Sequence, residues 1–101
     1  MVKMVVLYKQ PENRELFDEK YFGEHLELNA KTPGILRTEV SRFFDLRGGE
    51  PEYYVMAEIY FENRDALMQA LKSPESKAAG AQLQSFAAGL AMFHFAEVLE
   101  Q

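Results

Sequence analysis

Cysteine is absent from this chain of 101 residues, and histidine occurs only twice, at His25 and His94. The absence of cysteine excludes disulfides, thiolate nucleophiles, zinc–thiolate sites and iron–sulfur clusters, and it fits a reducing compartment. Two histidines far apart in the chain, with no cysteine to support them, make a poor metal site. We therefore expect neither a metal nor a cofactor.

Long apolar runs are also missing. No segment approaches the roughly 20 apolar residues of a membrane-spanning helix, and the apolar run in the first ten residues is much shorter than a signal-peptide core with its cleavage site. These absences predict a soluble, cytoplasmic protein with no membrane partner.

Basic residues are few and scattered. Sixteen acidic residues against eleven basic ones give a net charge of −5, and such a field repels the phosphate backbone of a nucleic acid. Apolar residues make up 48% of the chain, and aromatic residues make up 13% of it. This is the composition of a globular protein, and the length predicts one domain over residues 1–101.

Apolar periodicity and turn signals predict four strands and two helices in the order βαββαβ. The first helix begins after Asn13 and runs to about Lys31, and the second opens at Asn63, is restarted by Ser73-Pro74-Glu75, and ends near Gly89. The predicted strands are Val2–Lys9, Ile35–Leu46, Tyr53–Phe61 and Ala91–Glu100, with a hairpin turn over Arg47–Pro51. This order is the ferredoxin-like α+β arrangement, a four-stranded antiparallel sheet with both helices on one face.

The strands carry apolar residues on both faces, as Val5 and Leu7 alternate with Val6 and Tyr8. Two helices cover only one face of such a sheet, and a bare apolar sheet is unusual for a monomer. We therefore predict a homodimer in which two sheets pair face to face about a two-fold axis and enclose a space.

His25 is the first candidate for chemistry. At helical spacing Phe17, Tyr21 and Leu28 share one narrow face, and His25 lies at the edge of that face. Two interpretations stay open: a structural histidine bonded to a carbonyl or carboxylate, or a catalytic one that moves a proton.

Alternation along the third strand separates its side chains into two sets. Because Phe61 directly precedes the second helix, residues 55, 57, 59 and 61 should face the helices. Met56, Glu58 and Tyr60 should then face the partner sheet. Glu58 is either a proton shuttle in an apolar enclosure or half of an interchain ion pair with Arg37 or Arg42. Tyr8 lies at the mouth of the cavity or belongs to the plain core.

Four segments, taken in order, resemble the EthD family, named for ethyl tert-butyl ether degradation, within the dimeric α/β-barrel superfamily. They are FDEKYFGEHLEL at 17–28, TPGI at 32–35, AEIYFENRDAL at 57–67 and LKSPESKAAG at 71–80. The resemblance spans nearly the whole chain and carries the family histidine over to His25, its aromatic residue to Tyr21 and its aliphatic residue to Leu28. Glu27 departs from the pattern, since the family usually has proline there.

The resemblance implies a homodimeric barrel around a small cavity, among relatives that include cyclases, isomerases, cofactor-free monooxygenases and haem-handling proteins. No dinucleotide fingerprint supports a reductase. The expected function is binding of a small apolar or aromatic metabolite in a cavity between sheet and helices of a homodimeric barrel, with His25 catalysing a proton transfer or a cofactor-free oxidation or isomerisation. The residues expected to contact this metabolite are Tyr8, Tyr21, Leu28, Met56, Glu58 and Tyr60.

Two alternatives remain for the function: a non-catalytic ligand-binding accessory to a partner oxygenase, and haem binding through His25 or His94. His94 has no family counterpart that we can assign, and its neighbours predict a strand histidine that lies in the sheet or at the dimer interface.

Overall fold

The computed structural model describes residues 1–99, which form one four-stranded sheet and a layer of helices. The strands are β1 (Val2–Lys9), β2 (Arg37–Arg42), β3 (Tyr53–Phe61) and β4 (Ala91–Glu97). The helices are α1 (Arg14–Lys20), α2 (Leu26–Ala30), α3 (Arg64–Lys72) and α4 (Pro74–Ala87), with a π-helical turn over Tyr21–His25 between α1 and α2. No helix within residues 1–99 is long and apolar enough to cross a membrane.

The sheet is antiparallel throughout, with the spatial order β2-β3-β1-β4. This is the ferredoxin-like arrangement that the sequence predicts. The molecule is 19 Å in its shortest dimension, which is the thickness of two packed layers. The sheet therefore has helices on one face and none of the described residues covering the other.

Alternation in β1 and β3 decides which side chains enter the core. Val2, Met4, Val6 and Tyr8 are buried, and the intervening Lys3, Val5 and Leu7 are only half-buried. In β3 the prediction for the face toward the helices is confirmed, since the buried set includes the residues at 55, 57, 59 and 61. The core thus lies between the sheet and the helices.

The first helical segment begins where the sequence predicts and then departs from a regular α-helix. Asn13 caps it, its side-chain oxygen accepting the backbone N–H of Leu16 at 3.0 Å. At the π-helical turn the backbone N–H of Leu26 bonds to the carbonyl of Tyr21, five positions back. Such π-turns occur mostly as single insertions inside α-helices and often lie at functional sites.

The second helical segment is broken at Ser73, as the Ser-Pro-Glu signal predicts. Ser73 closes α3 with its N–H on the carbonyl of Ala70 and opens α4 by accepting the N–H of Ser76 at 3.1 Å. Pro74 occupies the first turn of α4, where a missing N–H costs nothing.

Two predicted strands are longer than those observed. β2 covers Arg37–Arg42 rather than Ile35–Leu46, because the ladder to β3 ends there and only the Leu36 and Phe43 N–H groups continue it. β4 ends at Glu97, and Glu100, the predicted end, lies outside the described residues. Apolar runs predicted these ends, but strand length depends on the partner strand.

Candidate functional site

A cavity of about 290 Å³ lies between the sheet and the helices, near the lower end of the range for small-molecule sites. Its floor is formed by core-facing residues of all four strands, and its roof by residues of the π-helical turn, α2, α4 and the end of α3. Most of these side chains are apolar, and none is charged at neutral pH. The cavity is therefore suited to an apolar molecule.

Tyr8 and Tyr21 bring two hydroxyl groups to this apolar space. Both rings are about 1% exposed and stand edge to face with their centroids 5.0 Å apart. Phe17 holds them from behind, with its ring 5.5 Å from Tyr8 and 5.2 Å from Tyr21. The positions of the hydroxyl groups are thus fixed by aromatic packing.

Both tyrosines stay protonated at neutral pH. Burial raises the pKa of Tyr21 to about 12 and raises the pKa of Tyr8 further above its ordinary value. The contact between the two tyrosines raises the pKa of Tyr8 and lowers that of Tyr21. Each hydroxyl group therefore keeps a hydrogen at neutral pH.

His25 lies one turn after Tyr21 and lines the same cavity. The widened π-helical turn stacks the two rings at 5.5 Å with 25° between their planes. The side-chain nitrogen of Gln82 donates to the carbonyl of Lys20 at 3.4 Å, which turns the Gln82 oxygen toward His25 Nδ1, 3.1 Å away. Since this oxygen can only accept, Nδ1 carries the hydrogen and Nε2 carries the lone pair.

Burial lowers the pKa of His25 below its ordinary value, against the opposing effects of the Gln82 hydrogen bond and of the Ala79 backbone. The imidazole is therefore neutral at physiological pH. A neutral ring with Nδ1 held and Nε2 unprotonated has the state that a general base requires.

Three further polar side chains line the cavity and were missed by sequence reasoning: Asn29, Thr38 and Ser76. Asn29 had a usable signal, because it follows His25 by four positions and so shares its helix face. Thr38 and Ser76 had none, since they reach the cavity only through the pairing of β2 and the packing of α4. None of the described side chains that line the cavity belongs to Asp, Glu, Lys or Arg.

The structure brings three of the predicted site residues together and separates the others from them. Tyr8, Tyr21 and His25 share the cavity. The remaining four, Leu28, Met56, Glu58 and Tyr60, do not line it. Leu28 is half-buried on α2, and the other three lie on the sheet face away from the helices, as alternation predicts.

Glu58 has a partner within its own chain that the sequence did not reveal. Its carboxylate pairs with Lys3 Nζ of the same chain at 2.7 Å, and this hydrogen bond holds the pKa of Lys3 above its usual value. Arg42 bonds to Asp18 instead, at 3.2 Å, and Arg37 to Glu39, also at 3.2 Å. Glu58 and Lys3 lie on neighbouring strands of the same sheet face, a proximity that spacing along one strand does not reveal.

The sheet face away from the helices is otherwise mostly apolar at its centre. Val5, Leu7 and Met56 are half-buried there around the Lys3–Glu58 pair. His94 lies on the same face of β4, opposite Val5, and is exposed. We call this surface the bare face.

A four-stranded antiparallel sheet with helices on one face defines the class of small α+β proteins with a ferredoxin-like fold. The EthD domain model matches residues 9–89, and the chain belongs to the EthD family. An uncharacterised 11.0 kDa protein of Rhodococcus erythropolis, from the thcB-thcC intergenic region, is 33% identical over 89 residues, which is 88% of this chain and 86% of that protein.

Solved structures agree with this assignment. The crystal structure of an ethyl tert-butyl ether degradation family protein from Bacillus halodurans C-125 has a TM-score of 0.93 and 37% identity, covering 98% of this chain and 99% of that one. A dimeric protein of unknown function with a ferredoxin-like fold, from Bacteroides fragilis, has a TM-score of 0.67 and 26% identity over 96% and 95% of the two chains.

A variant of SnoaB, a cofactor-independent oxygenase from Streptomyces nogalater, has a TM-score of 0.71 over 99% of this chain and 94% of that one, with 18% identity. At that identity the likeness shows the shared fold. The fold of this chain therefore occurs in dimeric proteins and in an oxygenase that works without a cofactor.

Proposed function

We propose that the protein is a homodimer whose cavities each bind a small, uncharged, apolar or aromatic metabolite with a hydroxyl or carbonyl group, and that His25 transfers a proton of this metabolite. One observation carries the proposal: a neutral, buried imidazole and two protonated tyrosines meet in a cavity whose described lining is uncharged and mostly apolar. Binding an ion there without a counter-charge would be costly. The expected ligand is therefore neutral.

The chemistry follows from the hydrogen-bonding states. His25 Nε2 accepts a proton from the hydroxyl or from a carbon next to the carbonyl of the ligand, and Gln82 holds the ring through Nδ1. A protonated tyrosine beside it, Tyr21 or Tyr8, donates to the oxyanion that forms. Return of the proton to another carbon completes an isomerisation, whereas reaction of the anion with molecular oxygen is a cofactor-free oxidation, the class of reaction that SnoaB is named for.

The bare face is the basis for proposing a dimer. Val5, Leu7 and Met56 leave an apolar centre on a sheet that no described residue covers. A second copy, stacked sheet to sheet, would cover it, and the relative from Bacteroides fragilis is described as dimeric. Cytoplasmic location stays part of this proposal and rests on the composition alone.

Proton transfer can be tested before the natural substrate is known. The assay is exchange of the acidic carbon-bound hydrogens of 2-tetralone for deuterium in heavy water, followed by NMR. We expect the wild-type protein to accelerate this exchange and His25→Gln to lose about 10²–10⁴-fold of the acceleration. His94→Gln is the matched control, because it removes the other histidine, which lies exposed on the opposite face.

Equal acceleration by the wild type and His25→Gln would refute the catalytic role. Binding of 2-tetralone without accelerated exchange would instead favour the non-catalytic accessory protein. Native mass spectrometry of the freshly purified protein gives the subunit count and the mass of any molecule carried in the cavity, and a monomer would overturn the dimer.

A further inference from the structure

The cavity extends across the whole width of the sheet. Thr38, Ile59, Met4 and Phe95 occupy one level of the four paired strands, and all four line the cavity. Strands lie about 4.8 Å apart, so three spacings amount to roughly 14 Å. The ligand space is therefore elongated from the β2 edge toward the β4 edge.

A second, mostly apolar space borders the cavity at the β4 edge. This space, which we call the β4 groove, has a volume of about 420 Å³ and lies between α3 and β4. Leu71 and Phe95 line both the cavity and the β4 groove. The two spaces therefore border each other at this pair of side chains.

The two spaces differ in polarity. The cavity holds the hydroxyl groups and the imidazole, whereas the β4 groove is lined by Val2, Leu67 and Met68 in addition to the shared pair. The charged residues described there, Arg64 and Glu97, form an ion pair with each other. A molecule that fills both spaces must therefore be polar at one end and apolar at the other.

Side chains of the β4 groove leave apolar area in water. Phe95 is 56% exposed and Met68 is 51% exposed, so an apolar occupant would remove area of both from solvent. The charged side chains of the described lining, Arg64 and Glu97, are paired with each other and lie at its exposed rim.

We propose that the β4 groove binds the apolar extension, an alkyl chain or a fused carbocycle, of a ligand whose polar end lies at Tyr21 and His25. This inference rests on the proposed function, because it uses the same ligand and assigns its shape. The ligand is then an elongated, neutral molecule with one polar end, rather than a compact one that fits within 290 Å³.

A series of 4-alkylphenols from 4-ethylphenol to 4-octylphenol tests the proposal by calorimetric titration of the full-length protein. Each methylene that enters an apolar site improves the Kd about fourfold. We expect the wild-type Kd to keep falling along the series. In Met68→Glu the ratio of the 4-ethylphenol Kd to the 4-octylphenol Kd should fall by at least about tenfold, since the carboxylate would be desolvated by the chain.

Leu36→Glu is the matched control, because Leu36 is 53% exposed and lines neither space. It should keep the wild-type ratio. Met68→Gln is the second groove variant, and a smaller loss in the same direction is expected from it. Sedimentation of each variant reports the oligomeric state alongside the titrations.

Three results would overturn the proposal. A wild-type Kd that stops improving after the shortest chains leaves the site in the cavity intact but removes the groove from it. A flat series together with loss of the dimer in Met68→Glu assigns the groove to a second copy. Failure of 4-ethylphenol itself to bind refutes the proposed function, and the groove assignment with it.

Discussion

Phe17 is the side chain on which the geometry of the candidate site depends most. It is 2% exposed, and its ring centroid lies between 5.2 and 5.6 Å from those of four other rings: Tyr8, Tyr21, Tyr54 and Phe86. These four come from β1, the π-helical turn, β3 and α4. Phe17 therefore joins the sheet to both helical segments around the cavity.

The substitution Phe17→Ala should lower the free energy of unfolding by about 3–5 kcal/mol, the usual cost of emptying a buried phenylalanine site. A domain of this size has roughly 5–15 kcal/mol in total, so the variant should be folded but clearly weakened. Phe17→Leu keeps most of the volume and loses the ring, and about 1–2 kcal/mol is expected for it.

Urea unfolding followed by circular dichroism measures these losses. All samples should have one protein concentration, since dimerisation makes apparent stability depend on it. Phe22→Ala is the matched control, because Phe22 is close by in the chain but 42% exposed, and less than about 1 kcal/mol is expected. If Phe17→Ala cost no more than Phe22→Ala, the ring would not organise the core as described.

Three further predictions concern single groups. The Oγ1 of Thr32 is buried and has no hydrogen-bond partner within residues 1–99, so Thr32→Val should raise the free energy of unfolding by about 1 kcal/mol in urea titration; a loss would contradict this. Asn63 caps α3 by accepting the N–H of Ala66 at 2.8 Å. Thermal unfolding followed by circular dichroism should show that Asn63→Ala lowers the free energy of unfolding by about 0.5–2 kcal/mol, and Asn63→Gly lowers it by less. Burial lowers the pKa of His25 in the folded protein, whereas an unfolded histidine has a pKa of about 6.5. At pH values between these two pKa values the unfolded chain binds a proton that the folded chain does not. The free energy of unfolding should therefore fall as the pH drops through this range. His25→Gln should flatten that fall in urea midpoints measured against pH.

Much of the fold could be predicted because its signals are local. The alternation in β1, the caps at Asn13 and Asn63 and the helix restart at Ser73 each depend on residues within a few positions of one another. The ends of β2 and β4 could not be predicted as well, since a strand lasts only as long as its neighbour pairs with it. Phe43 donates one more backbone hydrogen bond to Tyr54. The next residues, which include the apolar Phe44 and Leu46, are not part of the strand.

The candidate site was harder to predict than the fold for a geometric reason. Alternation correctly separates Ala57 from Glu58 on the two faces of β3, but it does not say which face borders empty space. We expected a cavity between sheet and helices but also assigned Met56, Glu58 and Tyr60, which face away from the helices, to the ligand; these three do not line the cavity. The π-helical turn was likewise invisible, since the spacing of Tyr21 and His25 fits an α-helix equally well.

The two faces of the sheet allow binding and assembly to be tested separately. Ala57 and Ile59 line the cavity, while Met56 and Glu58, their neighbours in the chain, lie on the bare face. A change at Met56 therefore alters the proposed dimer surface without changing the cavity lining, and a change at His25 does the reverse. His25 depends on the helices for its burial and hence for its neutral state. If binding at the cavity nevertheless required the dimer, the coupling would have to pass through the paired strands themselves, because no described helix lies on the bare face.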